Sequence, residues 1–75
     1  GFWRVVIFDI PEENKRIRNV LRQTLKVLEF KPLQKSVWIS KHNYTNELRG
    51  WVRELNLFRY VLIFETKDIG NGFIT

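Results

Sequence analysis

The sequence has no cysteine, no methionine and one histidine, His42, with two prolines and four glycines among 75 residues. Without thiols it holds neither a disulfide framework nor a thiolate zinc site, and a single imidazole cannot build a histidine zinc cluster within one chain. Stability must therefore come from the core, with a narrow margin, because a chain of this size buries only about 60% of its extended surface. The same lack of thiols points to a reducing, cytoplasmic setting. No uncharged stretch approaches the roughly 20 residues that span a bilayer, and no signal-peptide pattern opens the chain. Membrane partners and secretion are thus not indicated. The length allows one domain, residues 1–75. Because the chain opens on Gly1 rather than Met, a piece excised from a longer protein is expected.

Acidic residues are also scarce: 8 Asp plus Glu stand against 13 Lys plus Arg, for a net charge of +5. Such a balance favours an anionic partner such as nucleic acid, without specifying which. Hydrophobic residues make up 44% and aromatics 15%, too apolar for a disordered segment.

Trp3 to Ile10 (WRVVIFDI) is a continuous β-branched and aromatic run, expected as a strand buried on both faces. Pro11 suits a first helical position, and Glu12 and Glu13 suit the positive end of a helix dipole. Ile17, Val20, Leu21, Thr24, Leu25 and Leu28 follow at helical spacing, so a first helix is expected from Pro11 to Leu28 with those residues inward. Phe30 to Ser40 reads as a short edge strand holding Pro32, a tight connection near Gln34 and Lys35, and a third strand. Asn43 or Thr45 is the expected cap of a second helix whose Leu48, Trp51, Val52 and Leu55 share one face. Phe58 to Glu65 reads as the last strand, and Asp68 to Gly72 as turn chemistry. The order β-α-β-β-α-β is that of an α+β, ferredoxin-like sandwich: an antiparallel sheet with two helices on one face.

Alternation along the outer strands exposes a problem for that architecture. In the first strand Trp3, Val5 and Ile7 project to one side and Arg4, Val6, Phe8 and Ile10 to the other; in the last, Phe58, Tyr60, Leu62 and Phe64 oppose Val61 and Ile63. Both sides are apolar, yet two helices cover one. The uncovered side calls for a partner surface, and a homodimer packed sheet against sheet is expected, with a further part of a longer chain as the alternative cover.

Asp9 is the one carboxylate in the apolar first run. It must be solvated, hydrogen-bonded or bound to a cation. Two readings stand. It accepts backbone N–H groups leading into the first helix, or it meets its symmetry mate across a dimer axis to help hold Mg²⁺ beside a phosphodiester. Lys15, Arg18, Arg22 and Lys26 recur at spacings of three, four and four, with Arg16 nearby, forming a basic rail suited to several phosphates of a duplex backbone or simply to solvation. Trp38, Trp51 and Phe64 are read as packing. His42 has no nucleophile or carboxylate at motif spacing and is read as a loop residue.

The series Val5 to Ile10 (VVIFDI), the basic helix and Leu33 to Trp38 (LQKSVW) resemble the second family of CRISPR-associated endonucleases, the small ferredoxin-fold partners of the spacer integrase in antiviral defence. That resemblance implies a protomer dimerised through its sheet, Asp9 as the catalytic and metal-linked residue with Mg²⁺ or Mn²⁺, Lys15, Arg16 and Arg18 on duplex DNA, and the integrase as a further partner. The chain is also similar to the central domain of PaaX-type transcriptional repressors, through Phe8 to Glu12 (FDIPE), Arg16, Leu21, Arg22 and Val37 to Ser40 (VWIS). Glu29, Ile39 and Ser40 depart from the endonuclease pattern, Glu29 standing where a Gly is frequent. The repressor resemblance implies a non-enzymatic dimerisation module. Gly72 to Thr75 would be the remnant of a strand that endonuclease relatives add to the partner's sheet.

Overall fold

The structure is a computed structural model that describes residues 2–70. The expected exchange segment, Gly72 to Thr75, lies outside those residues. Strand β1 (Trp3–Phe8) is followed by a 3-10 turn (Glu12–Asn14), helix α1 (Lys15–Val27), strands β2 (Lys31–Gln34) and β3 (Val37–Ser40), helix α2 (Thr45–Glu54) and strand β4 (Val61–Thr66). The four strands form one antiparallel sheet in the order β2-β3-β1-β4. This is the ferredoxin-like sandwich that the element order implies.

The register aligns Val6 with Trp38 on one side and Ile63 on the other, and Val5 with Ile39 and Phe64. The two faces therefore separate as the alternation of strand side chains requires. Val6, Phe8, Ile10, Leu21, Leu25, Phe30, Trp38, Leu48, Val52 and Leu57 form one buried cluster, with Ile17, Trp51, Val61 and Ile63 packed against it. Both helices contribute to it, so both lie on the same face of the sheet. Pro32 sits on edge strand β2 beside an irregularity in its pairing with β3, where its missing N–H costs no ladder bond.

The two helices end in the same way. The Glu29 N–H donates to Lys26 O and the Phe30 N–H to Leu25 O, while the Asn56 N–H donates to Arg53 O and the Leu57 N–H to Val52 O. Each is a Schellman closure whose left-handed residue is Glu29 (φ 64°) or Asn56 (φ 59°). Phe30 and Leu57 then drop into the core beside Leu25 and Val52, so each closure also fixes where the next segment begins.

Four expectations need correction. The first helix begins at Lys15 rather than Pro11, because Pro11 keeps an extended backbone (ψ 150°) and Asn14 (ψ 37°) interrupts the helical path, leaving a separate 3-10 turn between them. Val20 is 44% exposed rather than inward: it stands about 100° round the helix from Leu21, and the sheet receives only the stripe of Ile17, Leu21, Leu25 and Leu28. The second helix is capped by neither Asn43 nor Thr45; Tyr44 holds the cap position without a side-chain bond, and the Thr45 hydroxyl donates to Asn43 Oδ1 instead. The last strand starts at Val61 rather than Phe58, because the Tyr60 N–H closes a turn onto Leu57 O.

Candidate functional site

The face of the sheet away from the helices is mostly apolar, with Thr66 and Asp68 at one end of its groove. Val5, Ile7, Leu33, Val37, Ile39 and Phe64 line a shallow groove across it. Ile7 is 37%, Leu62 57% and Phe64 36% exposed. Val5 and Ile39 are buried within the monomer although they stand outside the main core cluster. They occupy the two central strands, in the groove that Thr66, Asp68 and Ile69 also line, so the open patch is concentrated along Ile7, Leu62 and Phe64 on β1 and β4. Phe64 thus belongs to this face, unlike Trp38 and Trp51, which pack in the core and against it. Phe58 and Tyr60, also exposed, lie in the turn before β4.

Asp9 follows this face at its end. Its backbone N–H donates to Tyr60 O at 2.8 Å, which carries the β1–β4 pairing one step further and keeps Asp9 in the column of Val5 and Ile7. The residue is exposed. Among the described residues its carboxylate makes no hydrogen bond or ion pair, so the capping arrangement is not formed: the turn that follows closes through the Asn14 N–H and Pro11 O, with no side-chain cap. Nor do three or more His, Cys, Asp or Glu gather as a metal-binding group among the described residues. One copy of the chain supplies a divalent cation with a single carboxylate here, a donor set that does not fit a Mg²⁺ site by itself.

The basic rail of α1 divides. Lys15, Arg16 and Lys26 are exposed and Arg22 is half-buried. Arg18 reaches back to the 3-10 turn before the helix, with Nη1 at 3.8 Å from Glu12 Oε1 and its side chain 21% exposed. Arg16, one residue after Lys15, stands about 100° round the helix, and both border a shallow surface groove with Val20, Thr24 and Val27. Lys15, Arg22 and Lys26 remain as one row, with Arg16 beside it. Helical spacing alone brought these residues together; it did not reveal that Glu12 would engage Arg18.

Sequence reasoning also missed a polar network joining the end of α1 to the end of β3. The buried Ser40 hydroxyl donates to Glu29 O at 3.1 Å and accepts the His42 N–H at 3.0 Å. His42 Nε2 lies 2.7 Å from Glu29 Oε2, an ion pair when the ring is protonated and a hydrogen bond otherwise. Lys41 Nζ sits 4.4 Å from the centroid of the Trp3 ring. Nothing in the spacing of residues 29, 40 and 42 announces the contact, which depends on β3 returning antiparallel to the end of the helix. At the same end of the sheet Arg4 Nε pairs with Glu65 Oε2 at 3.2 Å.

No helix among the described residues is long and apolar enough to cross a membrane. A family model described as the PaaX protein central Cas2-like domain matches residues 1–72. No curated protein and no solved structure matches the chain with significance.

Proposed function

Since the chain belongs to the family of PaaX central Cas2-like domains, we propose that it is the non-enzymatic dimerisation domain of a PaaX-like transcriptional regulator, joined to a second copy through its open sheet face. The observation that carries this reading is the apolar run of Ile7, Leu62 and Phe64 across that face. An antiparallel sheet with one solvated side ordinarily presents polar residues there. Ion pairs contribute little to an exposed surface, whereas apolar area removed from water contributes about 25 cal/mol per Å². A second copy is the occupant available to every molecule of the protein. It would bring the same side chains to the same surface, as a two-fold interface does.

Light scattering at micromolar concentration tests this directly, the expected mass being twice the 9.1 kDa of one chain. Replacing Leu62 with Asp should shift that mass to the monomer, since an unpaired charge buried in an apolar interface costs at least about 2 kcal/mol, or roughly thirtyfold in Kd. Leu62 is 57% exposed in the single chain, so the fold itself should tolerate the change. In the regulator, Lys15, Arg16, Arg22 and Lys26 would lie along duplex DNA, contacting its backbone rather than its bases.

One observation favours a second reading, the metal-dependent endonuclease of the spacer-acquisition family that partners an integrase. The Asp9 carboxylate is exposed, without a side-chain partner among the described residues, at the end of the very column that a second copy would cover. Two copies would then offer two carboxylates to Mg²⁺ or Mn²⁺ where one copy offers one. Asp9→Asn separates the readings. Under the endonuclease reading it abolishes divalent-dependent cleavage of duplex DNA and leaves binding intact. Under the regulator reading the unmodified protein cleaves nothing with either ion, and the substitution changes nothing.

A further inference from the structure

The network at the end of α1 forms one wall of a concave surface that starts at the helix end and runs to the border of the open sheet face, where Leu33 and Ile39 also line it. Lys26, Glu29, Lys31 and His42 line one hollow, and a second hollow shares Glu29, Lys31 and His42 with it and continues to Lys41 and Trp3. The cations come from three places: the last turn of α1, the first residue of β2 and the segment after β3. Each lysine has an ordinary local reason for its position. Lys26 complements the negative end of the helix, Lys31 guards an edge strand, and Lys41 covers the face of Trp3.

Those local reasons do not account for their convergence, nor for the carboxylate in the middle. Three ammonium groups around two adjoining hollows repel one another, a cost that a bound polyanion removes. Among the described residues Glu29 is the sole acid lining either hollow, and it occupies a left-handed backbone position (φ 64°) where Gly would be unstrained. A strained residue held by its surroundings is a pointer to use. Its surroundings do hold it: Ser40 fixes its carbonyl and His42 its carboxylate.

We propose that this groove binds the phosphodiester backbone of nucleic acid, with Lys31 and Lys41 as its principal contacts and Glu29 as an internal anion that occupies His42 until a phosphate replaces it. The groove's lysines all come from one copy, Asp9 is not among its lining residues, and it is separate from Lys15 and Arg16 at the other end of α1. It gives the domain a second, sequence-independent hold on DNA beside the helix row. Because Lys26 belongs to both, the two surfaces adjoin at the end of the helix.

The test is the salt dependence of affinity for a duplex of arbitrary sequence, measured by fluorescence anisotropy on the unmodified chain and three variants. Each phosphate contact contributes about 0.9 to the slope of log K against log salt. The double variant Lys31→Gln with Lys41→Gln should bind at least about tenfold more weakly at low salt and lose about 2 from that slope. Glu29→Gln should bind several-fold more tightly, because His42 loses its internal anion. Lys15→Gln with Arg16→Gln reports the helix row independently. Circular dichroism confirms that each variant is folded, as expected for exposed side chains. An unchanged slope in the Lys31 and Lys41 variant, a loss confined to the Lys15 and Arg16 variant, or unaltered affinity on removing the Glu29 charge would overturn the proposal.

Discussion

At the scale of single residues, Glu29 carries the clearest conflict between local preference and structure. The end of α1 needs a left-handed residue so that the Phe30 N–H can reach Leu25 O and the Phe30 ring can enter the core. Asn56 meets the same need at the end of α2 with a side chain that tolerates that region; glutamate does not. Glu29→Gly should therefore raise stability by roughly 0.5–1 kcal/mol, because its exposed pair with His42 contributes less than the strain removed. Urea denaturation followed by circular dichroism measures this, and a lower midpoint would show that the His42 contact outweighs the backbone cost. The resemblance to the endonuclease family marked the position, since Glu29 stands where that pattern frequently has glycine. Its partner His42 was not legible, because it lies thirteen places along the chain and meets Glu29 only through the return of β3. Asp9 was legible as an isolated carboxylate, but whether it caps the next turn depends on the backbone of Pro11 and Asn14, which periodicity does not describe.

At the scale of elements, period-two alternation was the strongest signal. It assigned Val5 and Ile7 to one face and Val6 and Phe8 to the other, and the register with β3 and β4 agrees. Helix spacing located the stripe of Ile17, Leu21, Leu25 and Leu28 but overextended it to Val20, because an apolar residue at a flank satisfies the pattern without reaching the sheet. Boundaries were less legible than faces. Pro11 with Glu12 and Glu13 has the composition of a helix start, yet the first hydrogen-bonded turn there is a 3-10 turn and the regular helix waits until Lys15. Within α2, Gly50 is exposed, and a methyl group added there meets nothing within 4 Å. Gly50→Ala should stabilise by about 0.5–1 kcal/mol through reduced freedom of the unfolded chain. The corresponding rise in Tm is roughly 3–6 °C for a domain of this size, and a thermal scan showing no rise would mean that position 50 has a neighbour in the assembled protein.

At the scale of the whole molecule, the charges and the apolar surface are segregated. One side of the sheet holds the packed core and both helices. The other offers Ile7, Leu62 and Phe64 to water. Lys15, Arg16, Arg22 and Lys26 lie on α1, Lys31 and Lys41 near its far end, and Arg49 and Arg53 on α2, rather than among those three side chains. A dimer closed through the sheet would leave both helices outward, each copy presenting its own basic row and groove. Mass alone does not distinguish this arrangement from a dimer made through the exposed Val20 and Val27 of α1, so the decisive measurement must identify the face. The absence of native cysteine makes single spin labels straightforward. Electron–electron double resonance on Asp9→Cys and, separately, on Val27→Cys should give a short, narrow distance between copies at Asp9 and a long one at Val27. A short distance at Val27 with none at Asp9, or no coupling at either position, would contradict the sheet-to-sheet dimer.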